Sequence, residues 1–170
     1  MNAAVVTVSD RSFRGERPDV SGPVLTQLLE EAGATVVQAT VVPDEPTVIM
    51  QTLIRLADAA HCELIITTGG TGLSPRDTTP EATMRVIDRR VSGMETAIQQ
   101  DSVTHTPLAM LSRGVVGVRG QTLIMNFPGS PKAVRECFAV VAPVLNHAVK
   151  LLRDENPYVE AEHLCRPSRS

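Results

Sequence analysis

Carboxylates and glycine-rich loops that recur where apolar runs end are the features of this 170-residue chain that can support chemistry. The most pronounced is Thr67-Thr68-Gly69-Gly70-Thr71-Gly72, directly after an apolar run and followed by Pro75-Arg76-Asp77 and a helix start at Thr79-Pro80. Glycines let the backbone approach a ligand closely, and successive N–H groups backed by a helix N-terminus favour an anion such as phosphate. The spacing is not that of a GxxxxGK[ST] phosphate loop. Nor is it a dinucleotide fingerprint, because Pro75 stands where the third glycine is needed. A tight turn without a ligand is the plainer alternative. Three further loops end apolar runs: Ser9-Asp10-Arg11, Pro43-Asp44-Glu45, and Asn126-Phe127-Pro128-Gly129-Ser130-Pro131, the last again leading into a helix start. If the runs are parallel strands, these loops converge on the edge at which open α/β sheets bind ligands.

Asp10, Asp44 and Asp77 then gather beside loops suited to phosphate, an arrangement that lets a hard cation such as Mg²⁺ bridge protein and nucleotide. Taken singly, each aspartate reads as a helix cap or an Asx turn. Three at strand ends favour a shared role. Ser9 lacks a GxSxG context and a recognisable histidine base, which disfavours acyl transfer. Arg76, Arg113 and Arg119 are candidate phosphate ligands, with a solvated charge as the bland alternative. Arg85, Arg89 and Arg90 read as the solvated face and end of a helix. His61, His105, His147 and His163 form no HxxxH or HExxH pair, and Cys62, Cys137 and Cys165 form no CxxC, so neither a zinc site nor a disulfide framework is expected. The histidines read as surface or cap residues.

The elements that must position these loops follow from periodicity. Ala3 to Val8 is a continuous β-branched run suited to a strand covered on both faces. Val24, Leu25, Leu28, Leu29 and Ala32 mark one face of a helix opened at Ser21 and closed by Gly33. Thr35 to Val42 is a second strand, Pro46 to Ala60 a second helix, and Glu63 to Thr68 a third strand. Thr79 is expected to cap a helix with Pro80 at its first position, and another helix runs from Gly93 to about Ser102. Val115 to Arg119 and Thr122 to Asn126 flank the hairpin signal Gly120-Gln121, and an amphipathic helix spans Pro131 to Leu152. The alternation predicts an α/β fold: a mixed, mostly parallel sheet with an antiparallel edge and helices on both faces, three layers in all.

Composition excludes several functions. The net charge of −3, from 16 Lys and Arg against 19 Asp and Glu, and the scarcity of aromatics (Phe13, Phe127, Phe138, Tyr158) argue against a nucleic-acid binder. No apolar run approaches the ~20 residues that span a bilayer, and Ala3 to Val8 is too short for a signal peptide, so no membrane association and a cytoplasmic location are expected.

In order along the chain, Val5-Val6-Thr7-Val8-Ser9-Asp10, Val42-Pro43-Asp44-Glu45, Thr68 to Gly72 with Pro75 to Thr83, Met110-Leu111-Ser112-Arg113, and Asn126 to Pro131 resemble the motif series of the molybdopterin-binding domain family. Its members include bacterial molybdopterin adenylyltransferases and the G-domains of gephyrin and its plant counterpart. The resemblance spans roughly residues 5–152. It implies a domain over 1–152 with a C-terminal extension over 153–170, in which Asn156 to Glu160 is similar to the extension of the bacterial enzymes. The implied reaction joins ATP and molybdopterin, with Mg²⁺, to give adenylylated molybdopterin and pyrophosphate ahead of molybdate insertion. By the same resemblance Asp44 and Asp77 match the catalytic aspartates that organise the metal and phosphates, and Gly69, Gly70, Thr71 and Gly72 match the phosphate-contacting loop. Ser102, Ser112 and Asn126 match pterin-site positions, Pro128, Gly129 and Ser130 continue the last motif, and Ser9 and Asp10 match the first-strand loop. A homotrimer and a downstream molybdate-insertion partner are implied as well. The alternatives are a non-catalytic molybdopterin-binding or assembly module on the same fold, a paralogue acting on another nucleotide or pterin, and, weakest, an NAD-dependent dehydrogenase, whose fingerprint fails.

Overall fold

Strand β1 (Asn2–Val8) is buried along its length beyond Asn2. Ala3 and Val5 face one side while Ala4, Val6 and Val8 face the other, as the two-residue period of a strand requires. The computed structural model describes residues 1–154, so most of the expected extension, including Asn156 to Glu160, lies outside the described residues. After β1 come a single-turn helix α1 (Asp10–Phe13), α2 (Ser21–Glu31) and β2 (Thr35–Val42). Next are α3 (Pro46–Ile54), β3 (Leu64–Thr68), α4 (Thr79–Val86) and the two-residue β4 (Arg89–Arg90). The chain continues through α5 (Ser92–His105), β5 (Val116–Arg119), β6 (Thr122–Phe127) and α6 (Pro131–Leu152).

The six strands form one sheet in the order β2-β1-β3-β6-β5-β4. β2, β1, β3 and β6 run parallel, whereas β5 and β4 are antiparallel to their neighbours. The mixed sheet with an antiparallel edge is therefore as the periodicity implies. One face packs on α2, α5 and α6 through Leu25, Leu29, Ile98, Val134, Phe138, Val141 and Leu145. The other packs on α3 and α4 through Ile49, Leu53, Ala82 and Val86. Each fully buried Leu, Ile or Val side chain contributes roughly 1.5–3 kcal/mol relative to exposure, so these two clusters carry the fold and hold the strand ends in place. Because the chain leaves β1 and β6 toward α2 and α6 but leaves β3 toward α4 on the opposite face, crevices open at the carboxyl ends beside β3.

Four local expectations need correction. Thr79 does not cap α4: it is fully buried and its hydroxyl donates to the Gly69 carbonyl at 3.0 Å, so the preceding Thr78 takes the cap position. Arg89 and Arg90 are an edge strand rather than a helix end, and Arg90 pairs with Glu95. The helix from Pro46 is α-helical only to Ile54 and finishes in a π-helical turn over Arg55–Ala59. The helix expected over Gly93 to Ser102 starts at Ser92 and runs to His105. The Gly120-Gln121 turn is as expected, Gly120 taking φ +54° between the Arg119 and Thr122 pair.

Candidate functional site

Two glycine loops meet at the carboxyl ends of β3 and β6. A Cβ on Gly129 would lie 3.2 Å from the Gly69 Cα, and one on Gly69 would lie 2.4 Å from the Val8 carbonyl oxygen, so side chains would separate the loops. Gly69 and Gly70 also take φ +99° and +63°, backbone angles that side chains resist. The loops are tied together by Thr68, whose hydroxyl donates to the Pro128 carbonyl at 2.8 Å, and by the Gly69 amide, which donates to the Phe127 carbonyl at 3.0 Å. The amides of Gly70, Thr71, Gly72, Gly129 and Ser130 have no acceptor among the described residues. Ser130 caps α6, its hydroxyl accepting from the Ala133 amide at 3.1 Å. Five unclaimed N–H groups beside the N-terminus of a 22-residue helix form a seat for an anion.

The loops open into a cleft of about 600 Å³ between α5 and α6. Gly69, Gly70, Thr71, Gly72, Asp77, Ser102, Ser112, Asn126, Pro128, Gly129 and Ser130 all line it. Ser9, Asp10 and Asp44 do not. Ser9 borders an adjoining hollow with Thr68, Gly69 and Gly129, and its hydroxyl caps α1 by accepting from the Ser12 amide at 3.2 Å. Asp44 lies behind the loop, its Oδ1 3.2 Å from where a Cβ on Gly70 would stand. Asp10 and Asp44 brace each other: the Asp10 amide donates to Asp44 Oδ2 at 2.7 Å, and the Asp44 amide donates to Asp10 Oδ1 at 3.0 Å.

The arginines form clasps in this structure rather than open phosphate ligands. Arg76 binds Asp10 at 2.8 Å and Glu45 at 2.8 Å, pinning the loop before Asp77 onto the loops after β1 and β2. Arg113 donates to the Gly72 carbonyl at 2.8 Å, the Asp77 carbonyl at 2.7 Å and Glu81. Arg119 pairs with Asp58 at 2.6 Å on the opposite edge of the sheet, away from the cleft.

Electrostatics separate the aspartates. Burial pushes the Asp44 carboxyl above its ordinary value; the Asp10 amide offsets part of this, and the neighbouring charges of Asp10 and Asp77 add to it. Burial raises Asp10 as well, but the Asp44 amide and the Arg76 guanidinium outweigh it and hold Asp10 below the usual carboxylate range. The Arg76 charge lowers Asp44 by less than burial and the acidic neighbours raise it, and a bound cation would favour its ionised form. Directly after Asp77, Thr78 carries the one buried side-chain oxygen without a hydrogen-bond partner among the described residues. No group of three or more His, Cys, Asp or Glu side chains among the described residues is arranged to hold a metal ion. Mg²⁺ fits all the same, because it binds through one or two carboxylates and takes its remaining ligands from phosphate and water.

Asn126 lines the cleft yet is 3% exposed and committed to the scaffold. Its Nδ2 donates to the hydroxyls of Thr67 at 3.0 Å and Thr83 at 2.9 Å, and its Oδ1 accepts the Val115 amide at 3.2 Å. The wall formed by α5 and α6 supplies residues that sequence motifs did not reveal: Glu95, Gln99, Glu136 and Cys137, with Arg17 at the rim. Burial pushes the Cys137 thiol up to about 11, so at neutral pH it is not a thiolate nucleophile.

An open α/β sheet with two touching glycine loops and braced carboxylates at its carboxyl edge has the architecture in which ligand crevices open at the strand ends. More particularly, the chain belongs to the family described as "Probable molybdopterin binding domain", which its residues 4–147 match. It is 36% identical over 154 residues to the molybdopterin adenylyltransferase of Helicobacter pylori, covering 89% of this chain and 88% of that one. It is 43% identical over 160 residues to the molybdenum cofactor synthesis protein cinnamon of Drosophila melanogaster; the match covers 94% of this chain but 27% of that longer protein. The crystal structure of the molybdopterin biosynthesis enzyme MoaB of Thermus thermophilus matches with a TM-score of 0.86 at 46% identity, over 91% of this chain and 97% of that one.

Proposed function

We propose that the protein transfers the adenylyl group of ATP to molybdopterin, giving adenylylated molybdopterin and pyrophosphate ahead of molybdate insertion in molybdenum cofactor biosynthesis. The observation that carries the reading is the five-amide anion seat set beside Asp77 and Asp44 at one end of a cleft large enough for an organic ligand.

The chemistry asks little of the protein beyond placement and charge. A terminal phosphate oxygen of molybdopterin attacks the α-phosphorus of ATP, a new P–O bond forms, and the bond to the β-phosphate breaks. The attacking oxygen is already ionised near neutral pH, since the second pKa of a phosphate monoester is ≈ 6, so no general base is needed. The amides of Gly70, Thr71, Gly72, Gly129 and Ser130 hold phosphate oxygens in line and need not reorganise as charge shifts. Arg76 and Arg113 keep the Asp77 loop in register. Asp44 and Asp77 would hold Mg²⁺, which neutralises phosphate charge when bound.

In this reading 1–152 is the catalytic domain, 153–170 an extension, and the protein a cytoplasmic homotrimer that passes its product to a molybdate-insertion protein. No helix among the described residues is long and apolar enough to cross a membrane. Leu108, Met110 and Leu111 stand exposed on the short turn Pro107–Leu111, of which Leu108 and Leu111 reach the cleft, an apolar surface that subunit association would cover. Incubation of the purified chain with molybdopterin, ATP and Mg²⁺ tests the reaction: pyrophosphate release that requires molybdopterin is expected. Molybdopterin binding without pyrophosphate release would contradict catalysis and favour a binding module.

A further inference from the structure

The two ends of the cleft differ in polarity. The glycine-loop end presents the five unclaimed amide donors described above, with the Asp77 carboxylate beside them. The wall of α5 and α6 presents acceptors. Glu95 is excluded from recognition because its carboxylate takes the Val116 amide at 2.9 Å and pairs with Arg90. Gln99 donates its amide to the Ala109 carbonyl at 3.0 Å, which leaves its Oε1 without a donor among the described residues. Glu136 accepts no hydrogen bond among the described residues. Only the longer ion-pair contacts of its Oε1 to His105 at 3.6 Å and Lys132 at 3.7 Å are present, and its side chain is 18% exposed at the cleft wall. A half-buried carboxylate held only by two long ion-pair contacts to one oxygen keeps acceptor capacity that a ligand's N–H groups can use.

Glu136 lies six residues along α6 from Ser130. At ~1.5 Å per residue that is on the order of 9 Å from the anion seat. Ala133 and Cys137 line the cleft on the same face. A ligand that spans these points needs an anionic group at one end and a pair of adjacent N–H donors at the other.

We propose that Glu136 is the specificity-determining residue that reads the 2-amino and N3–H edge of the pterin ring, its two oxygens accepting that pair of donors while the phosphate sits at the glycine loops. The assignment rests on the proposed adenylyl transfer to molybdopterin, and it fixes which way round that substrate lies. A paired carboxylate acceptor discriminates strongly, since an analogue with an oxygen in place of the amino group turns one hydrogen bond into a repulsion.

Two measurements on the full chain test it. With Glu136→Gln and Glu136→Ala, KM for molybdopterin should rise roughly tenfold or more while KM for ATP stays at the wild-type value. Separately, pterin should inhibit the wild type better than lumazine, in which the 2-amino group is replaced by oxygen, and Glu136→Gln should lose or reverse that preference. A merely structural role for Glu136 would not move the ratio of the two inhibitors. Wild type that makes no adenylylated product overturns the enzymatic reading and this assignment with it. Wild-type turnover combined with unchanged KM for molybdopterin in both variants, or an unchanged pterin-to-lumazine preference in Glu136→Gln, overturns the role of Glu136 alone.

Discussion

Asn126→Ala tests whether a residue in a site-forming motif is committed to holding the strands beneath the cleft. The substitution removes three hydrogen bonds, to Thr67, Thr83 and the Val115 amide. The two hydroxyls lose a donor but can rotate, whereas the Val115 amide sits on a residue 4% exposed and has no alternative acceptor in the network. An orphaned buried amide costs about 1–3 kcal/mol, and the void left by the amide side chain adds about 1 kcal/mol. A loss of about 3 kcal/mol is expected. Against a total stability of roughly 5–15 kcal/mol the variant still folds, but its Tm should fall by roughly 6–12 °C for a chain of this size. With no Trp in the sequence, thermal and urea unfolding are best followed by far-ultraviolet circular dichroism. A Tm within about 1 °C of the wild type, together with a raised KM for molybdopterin, would refute the scaffold reasoning and make Asn126 a direct ligand.

Gly129→Ala should fold while losing activity, because its Cβ would press on the Gly69 backbone at 3.2 Å and part the two loops; turnover at the wild-type rate would show that the loops need not touch. Asp44→Asn should raise Tm at pH 7, since the folded-state pKa of Asp44 is shifted up by burial and by Asp10 and Asp77, and the ionised group costs stability above its ordinary value of 3.8. That gain should vanish as the pH falls and both states take up the proton, and a Tm difference independent of pH would contradict the placement. Asp10 works in the opposite sense, contributing stability that is lost as pH drops below 3.8, so Asp10→Asn should lower Tm at pH 7 and lose its effect in acid. Arg76→Gln should weaken catalysis more than molybdopterin binding, because it frees the Asp77 loop from Asp10 and Glu45 while leaving the cleft wall intact; equal losses in both would argue that Arg76 binds substrate itself.

Much of the frame was legible in the sequence. β1 announced itself through a run of β-branched residues buried on both faces, and Pro131 with Ser130 before it marked the start of α6. The glycine loops were legible because only close backbone approach and positive φ explain so many glycines at strand ends. What escaped were properties that depend on tertiary partners. Thr79 and Pro80 have the composition of a cap, yet burial against Gly69 redirects the hydroxyl. Arg89 and Arg90 look like a helix end until β5 offers them a ladder. Glu136, Gln99 and Cys137 carry no motif, and only the packing of α5 against α6 makes them a wall.

On the proposed function Asp44, although behind the glycine loop, is needed for adenylyl transfer at the anion seat. Wild type and Asp44→Ala, each mixed with molybdopterin, ATP and Mg²⁺, should be compared by mass spectrometry of the pterin product. Adenylylated molybdopterin is expected from the wild type and little or none from the variant, with molybdopterin binding retained. Equal product from both proteins would contradict that requirement.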